Sequence, residues 1–127
     1  MTDNISHQKN MAVQFLQLVV AGQIEEAYRK FVNMNGKHHN PFFPAGFPAL
    51  KKGMEENHNQ FPDKQLMVKH ILGDGDTVAV HSRLVMGKGE RDLSVVHIFR
   101  FRGDKIEEMW DCGQFVPTDS PNKDGAF

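Results

Sequence analysis

The sequence predicts an α+β domain in which helices come first and a meander of antiparallel strands follows, the helices packing on one sheet face. Three observations carry that reading. As far as residue 62 the apolar residues recur at helical spacing, beyond Pro62 the period falls to two, and the strand-like runs are joined by connections too short for anything but antiparallel neighbours.

The first stripe, Met11, Phe15, Leu18 and Val19, predicts a helix from about Ser6 to Ala21 that Gly22 stops. A second short helix runs from about Gln23 to Val32, with Ile24, Ala27, Tyr28 and Phe31 on one face and Asn35-Gly36 ending it. The stretch from His38 to Gly46 carries Pro41 and Pro44 and is read as an ordered loop. A third helix begins near Pro48, shows Leu50, Met54 and Phe61 on its apolar side, and stops at Pro62. Four strands follow, about Gln65 to Leu72, Thr77 to Met86, Leu93 to Arg102 and Lys105 to Phe115. Gly73-Asp74-Gly75-Asp76, Gly87-Lys88-Gly89 and Gly103-Asp104 separate them.

Composition bounds the function. A chain of 127 residues fits one domain, 1–127, with a polar Pro/Gly-rich tail over 117–127 that is expected to be loosely held. Fifteen Lys and Arg against sixteen Asp and Glu leave a formal charge of −1, so there is no basic excess to neutralise a nucleic-acid backbone. No apolar run approaches the roughly 20 residues of a membrane span. The start Met1-Thr2-Asp3-Asn4 shows no signal-peptide pattern, and a cytoplasmic protein is expected. A single cysteine, Cys112, rules out an internal disulfide, and no CxxC or HExxH spacing announces a metal, so no metal is expected. Seven histidines are the compositional oddity.

Alternation places apolar residues on both faces of the second and third predicted strands. Helices cover one face; a second copy of the chain on the other would explain the rest, and a homodimer through the sheet is expected. Hairpin register decides which histidines meet. A turn centred on Gly89 sets His81 opposite His97, whereas a loop one residue shorter sets His81 against Val96. In the last hairpin a two-residue Gly103-Asp104 loop puts Trp110 opposite His97, and a bulged register puts Asp111 there. Spacing alone leaves both alternatives open.

The order of these elements is familiar. Ser94-Val95-Val96-His97-Ile98-Phe99-Arg100-Phe101, followed by Gly103-Asp104-Lys105-Ile106-Glu107-Glu108-Met109-Trp110-Asp111, resembles the paired C-terminal strands of SnoaL-like polyketide cyclases. These form part of the nuclear transport factor two-like superfamily. His38-His39-Asn40-Pro41 and Thr77-Val78-Ala79-Val80-His81 resemble the matching loop and central strand, and the likeness runs from the first helix to Phe115. The resemblance implies a cone-shaped (cystatin-like) fold, three helices and a bent antiparallel sheet enclosing an apolar pocket, usually dimeric. It also implies intramolecular aldol ring closure by an aspartate acid/base beside a histidine, without metal or cofactor. In that family the two stand fourteen residues apart, the separation of His97 and Asp111 here, which favours the bulged register.

The chemistry asks for a proton taken from carbon beside a carbonyl and one delivered to the carbonyl attacked, work one positioned carboxylate does by turns. Asp111 is accordingly the candidate acid/base and His97 its catalytic neighbour. His81 and His39 are candidate substrate contacts, and Trp110, Phe15, Phe31, Phe42 and Phe43 candidate apolar wall. The expected ligand is a largely apolar small molecule bearing a carbonyl. The competing reading is a binding or interaction module that uses the same cavity without turnover.

Overall fold

The computed structural model describes residues 2–127, with side chains from Asn4 onward. In chain order the elements are α1 (Thr2–Val20), α2 (Ile24–Phe31), β1 (Val32–His38), α3 (Phe47–Gln60), β2 (Gln65–Asp74), β3 (Thr77–Val85), β4 (Leu93–Arg102) and β5 (Lys105–Phe115). The five strands form one curved sheet in the order β1-β5-β4-β3-β2. The three helices pack against its concave face, the α+β arrangement that the sequence predicts.

Of the stripe expected in α1, Met11, Phe15 and Val19 are buried and Leu18 is half-buried against the core, while Ala12 and Leu16 complete the buried face. In α2 the buried face is Ile24, Ala27, Tyr28 and Phe31. Glu25 and Glu26 occupy its first turn, and Arg29 and Lys30 its last, which matches charge to the helix dipole at both ends. Pro48 sits in the first turn of α3, where its missing N–H costs nothing.

Between α2 and α3 the structure departs from the sequence reading. Val32–His38 is a strand rather than a helix end and a loop, and it pairs parallel to β5, so the sheet is mixed rather than wholly antiparallel. No turn residue separates α2 from β1; Val32 is already extended, at φ −118° and ψ 132°. Asn35-Gly36 therefore ends nothing. Gly36 is needed because the two backbones crowd: a Cβ there would stand 2.2 Å from the Glu107 carbonyl oxygen.

Register settles both open pairings. His81 faces Val96 across β3 and β4, and His97 faces Val80, so His81 and His97 lie on opposite faces of the sheet. The turn over residues 86–92 is thus the shorter-loop alternative, not the one centred on Gly89. In the last hairpin Arg102 pairs with Lys105 and Phe101 with Ile106 around a two-residue turn. A bulge then shifts the ladder so that Arg100 pairs with Glu108 and His97 with Asp111. Glu107 is the extra residue.

The core is graded along the sheet. At one end Phe15 stacks edge-on against Tyr28 (5.4 Å) and Phe99 (5.7 Å), and Tyr28 against Phe47 (6.3 Å), filling the space solidly. Two ladder rows away Ser82, Val95 and Gly113 face the helices with little side-chain volume. Space is left there. We expect Gly36→Ala to force β1 away from β5 and to cost about 2 kcal/mol or more of unfolding free energy. Urea denaturation checks this; an unchanged midpoint would mean that the close approach is not required.

Candidate functional site

The hollow beside that small-residue row has a volume of about 210 Å³. Leu16 and Val19 of α1, Leu50 and Met54 of α3, and Leu66, Leu84, Leu93 and Val95 of the sheet give it apolar walls. Two chemistry-bearing side chains of adjacent strands point into it, His97 from β4 and Asp111 from β5. Directly opposed residues of an antiparallel pair stand about 5 Å apart at Cβ, within reach of a shared substrate atom.

Asp111 lies where the hollow meets an outer groove of about 530 Å³ that Asn40, Pro41, Phe42, Cys112, Gly113 and Phe115 also line. One of its oxygens is fixed: Asn40 Nδ2 donates to Oδ2 at 3.1 Å. Asn40 is itself held, its Oδ1 accepting the Phe42 N–H at 2.9 Å and its own N–H donating to His38 Nδ1 at 3.1 Å. The buried His38 imidazole then donates from Nε2 to the Pro44 carbonyl at 2.8 Å. Among the described residues no side-chain donor reaches Asp111 Oδ1.

His97 is half-buried and stacks nearly parallel on Phe99, with ring centroids 5.9 Å apart. Burial pushes its pKa below the ordinary 6.5, and the neighbouring Asp111 charge only partly opposes this, so the resting imidazole is neutral. Its Nδ1 is buried without a hydrogen-bond partner, as is the Ser82 hydroxyl diagonally across the ladder. Beneath the site Tyr28 donates to Met54 Sδ at 3.0 Å. Burial, aided by the Asp111 charge, pushes the Tyr28 pKa far up, so it remains a neutral phenol.

The other residues singled out in the sequence divide by face and depth. Phe43 lines the hollow, packed on the bare backbone of Gly53 in α3. Phe42 is 87% exposed and borders only the outer groove. Phe15 and Phe31 are core residues that do not reach the hollow. His81, His39 and Trp110 stand away from Asp111 and His97, because alternation turns them to the convex face. There His81 meets His70 Nδ1 at 2.9 Å and Ser94 Oγ at 3.0 Å. His39 stacks on Trp110 at 5.1 Å and donates to Glu108 at 2.6 Å. That hydrogen bond, with Arg100 beside it, holds the Glu108 carboxyl below its usual range. The Phe127 ring of the tail stacks on His81 at 6.1 Å and lies 5.4 Å from the Arg83 guanidinium, so the tail end is tied to this face.

Sequence reasoning missed Asn40, Asn57 and Lys64, which also line the hollow. The signal for Asn40 was present: Asn before Pro favours an Asx turn, and the turn it makes is what aims its amide at Asp111. Lys64 and Asn57 carried no motif. Among the described residues no three His, Cys, Asp or Glu side chains converge in a metal-binding group, and no helix is long and apolar enough to cross a membrane.

Comparison with known proteins gives the family. The sequence profile of the SnoaL-like domain matches residues 12–109. Among solved structures, a candidate polyketide cyclase from Acidithiobacillus ferrooxidans is 20% identical over 85% of this chain and 88% of its own, at a TM-score of 0.70. A nuclear transport factor two-like protein from Burkholderia xenovorans is 16% identical over 93% and 90%, at 0.73. A SnoaL-like polyketide cyclase from Agrobacterium tumefaciens is 14% identical over 84% and 91%, at 0.68. At these identities the structures share the fold. No curated protein sequence matches.

The depressed His97 pKa has a measurable sign. The unfolded chain takes up a proton at this residue near pH 6.5, and the folded chain only at lower pH. Stability is therefore complete above 6.5 and declines below it, by at most about 1.4 kcal/mol per pH unit. Urea melts at pH 7.5 and 5.5 should show wild type losing more than His97→Gln; equal losses would mean that the fold does not hold His97 neutral.

Proposed function

The chain belongs to the SnoaL-like family, and on that premise we propose that it is an acid/base enzyme acting on a small, largely apolar molecule that bears a carbonyl, with intramolecular aldol closure as the type reaction. One observation carries the reading: Asp111, clamped through one oxygen by Asn40, opposes a half-buried neutral His97 across the wall of an apolar hollow.

The steps follow from these groups. Asp111 takes the proton from the carbon beside the carbonyl and becomes the acid, while an enolate forms. The enolate carbon attacks the second carbonyl of the same molecule, and the alkoxide that results recovers the proton from Asp111, which returns to carboxylate. Neutral His97 donates a hydrogen bond to a carbonyl oxygen as charge develops there, a role open to an imidazole kept uncharged by its surroundings. Carboxylate and imidazole suffice, so no cofactor is required. The apolar walls strengthen both interactions by excluding water.

The test uses deuterium uptake beside the carbonyl of small ketones in heavy water, followed by proton NMR. The purified protein is expected to accelerate exchange, and Asp111→Asn to lower the rate on the order of 10²-fold to 10⁴-fold. Undiminished exchange in Asp111→Asn removes the role. Binding without exchange in wild type would favour a binding module.

We infer also that the convex face pairs with a second copy of the chain. Val96, Ile98 and Trp110 stand half-buried at the centre of that face, on β4 and β5, and Leu72 on β2 is 67% exposed. The expected mass in sedimentation is twice the 14.4 kDa of one chain. Ile98→Asp, which places a charge in the middle of the face, should yield the monomer; a monomeric wild type defeats the inference.

A further inference from the structure

We propose that Lys64 is the anion receptor of the hollow, and that the ligand is a short amphipathic molecule with one carboxylate-like group at the Lys64 end and its carbonyl at the Asp111 end. The carbonyl end rests on the acid/base reading above; the anionic end does not.

The hollow has two polar ends. Asp111, His97 and Asn40 form one; Lys64, immediately ahead of β2, and Asn57 of α3 form the other. Between them the walls are hydrocarbon, with Leu16, Met54, Leu66 and Leu84 among the lining residues. Leu66 shares a ladder row with Leu84 and Leu93, and that row is four residues of strand from His97. At about 3.3 Å per residue, and with the Lys64 side chain reaching inward, the two polar ends are on the order of 10 Å apart.

Lys64 is the lysine that lines the hollow, and it is held differently from the ion-paired cations of this molecule. Lys51 is paired with Glu25, Arg83 with Asp92 and Arg100 with Glu108. The Lys64 ammonium is half-buried, yet it donates only to the neutral amide oxygen of Asn57, and no carboxylate among the described residues pairs with it. Burial pushes its pKa below that of a free lysine, with no anion to offset the loss of hydration. Charges taken out of water are ordinarily paired. A cation kept unpaired at the wall of an apolar hollow is a partner held ready for an anionic group, and with the solvent displaced their attraction exceeds its value in water.

Size narrows the class further. About 210 Å³ lies below the roughly 300–1,000 Å³ of pockets for drug-sized ligands and equals only about seven water volumes of ~30 Å³ each. A short chain or single ring fits; a larger ligand would have to extend past Asp111 into the outer groove. Lysine presents a compact point charge rather than a planar fork, so it suits a single oxyanion group on a flexible chain. The Asp111 charge, at the far end of the hollow, opposes an anion less than the adjacent Lys64 ammonium attracts it.

The probe is 7-oxooctanoate, which carries a carboxylate and a methyl ketone at the two ends of a short chain, compared with its methyl ester. Each is titrated into the full-length protein at pH 7 and followed by calorimetry. The acid is expected to bind about tenfold tighter than the ester, or more. Lys64→Gln should bring the acid down to the ester's affinity and leave the ester within twofold, whereas Lys64→Arg should keep the preference. Asp111→Asn should keep it too while deuterium exchange is lost. Acid preference in wild type without any exchange therefore sinks the acid/base reading and leaves the anion receptor standing. Equal affinities, no saturable binding of the acid, a preference that survives Lys64→Gln, or a covalent adduct on Lys64 trapped by borohydride would each overturn the proposal.

Discussion

One extra residue governs the site. Glu107 bulges out of β5 between Ile106 and Glu108, and everything beyond it is shifted by one against β4. Without the shift Trp110 would oppose His97, and Asp111 would face the convex side with every alternate residue that follows it. The bulge is held from β1: Asn33 Nδ2 donates to Glu107 Oε2 at 2.8 Å, and the Glu107 carbonyl presses against the bare Cα of Gly36. A parallel edge strand thus pins the register that makes the hollow acidic.

The hollow itself follows from a gradient of side-chain volume. Phe99, Phe101, Ile106 and Met109 close one end of the concave face against Phe15, Tyr28 and Phe47. Towards the other end the inward positions shrink to Ser82, Val95 and Gly113, and Gly53 removes a side chain from the facing helix. The aromatic end supplies the burial that holds the fold; the open end surrenders dispersion contacts and leaves polar atoms unsatisfied at His97 and Ser82. Such a division is what a binding fold requires, because a core packed evenly throughout would be more stable and would hold no ligand.

Much of this was legible in the residues. The three helices, the four long strands and their turns follow from periodicity and from Gly-Asp punctuation, and the family follows from the order of motifs. What stayed illegible is instructive. β1 escaped because the alternation of Val32-Asn33-Met34-Asn35 is short, runs straight into the turn-like Asn35-Gly36 pair, and follows α2 with no turn between them; its strand state comes from pairing with β5, a long-range interaction. His81 fell on the far face because the length of the turn over 86–92 fixes parity, and two glycines there allow either length. Trp110 and His39 have apolar or ligand-like chemistry in isolation, but parity sends both outward. Lys64 was hidden because one lysine among polar neighbours carries no sign of burial.

The loop over residues 39–46 shows how a flexible sequence becomes a fixed part of the site. Two prolines remove donors and restrict the backbone, so the segment cannot satisfy itself as helix or sheet. A single neutral imidazole supplies the missing order. His38 Nδ1 accepts from the Asn40 N–H, which requires the proton on Nε2, and Nε2 donates to the Pro44 carbonyl, so one ring ties the loop at two points. That tautomer excludes a proton on Nδ1. Asn40, held at both its backbone and its side-chain oxygen, can then turn its amide only toward Asp111. The orientation of the carboxylate is therefore set through His38 and the loop before any ligand arrives, and preorganisation of this kind spares the reaction the cost of arranging it.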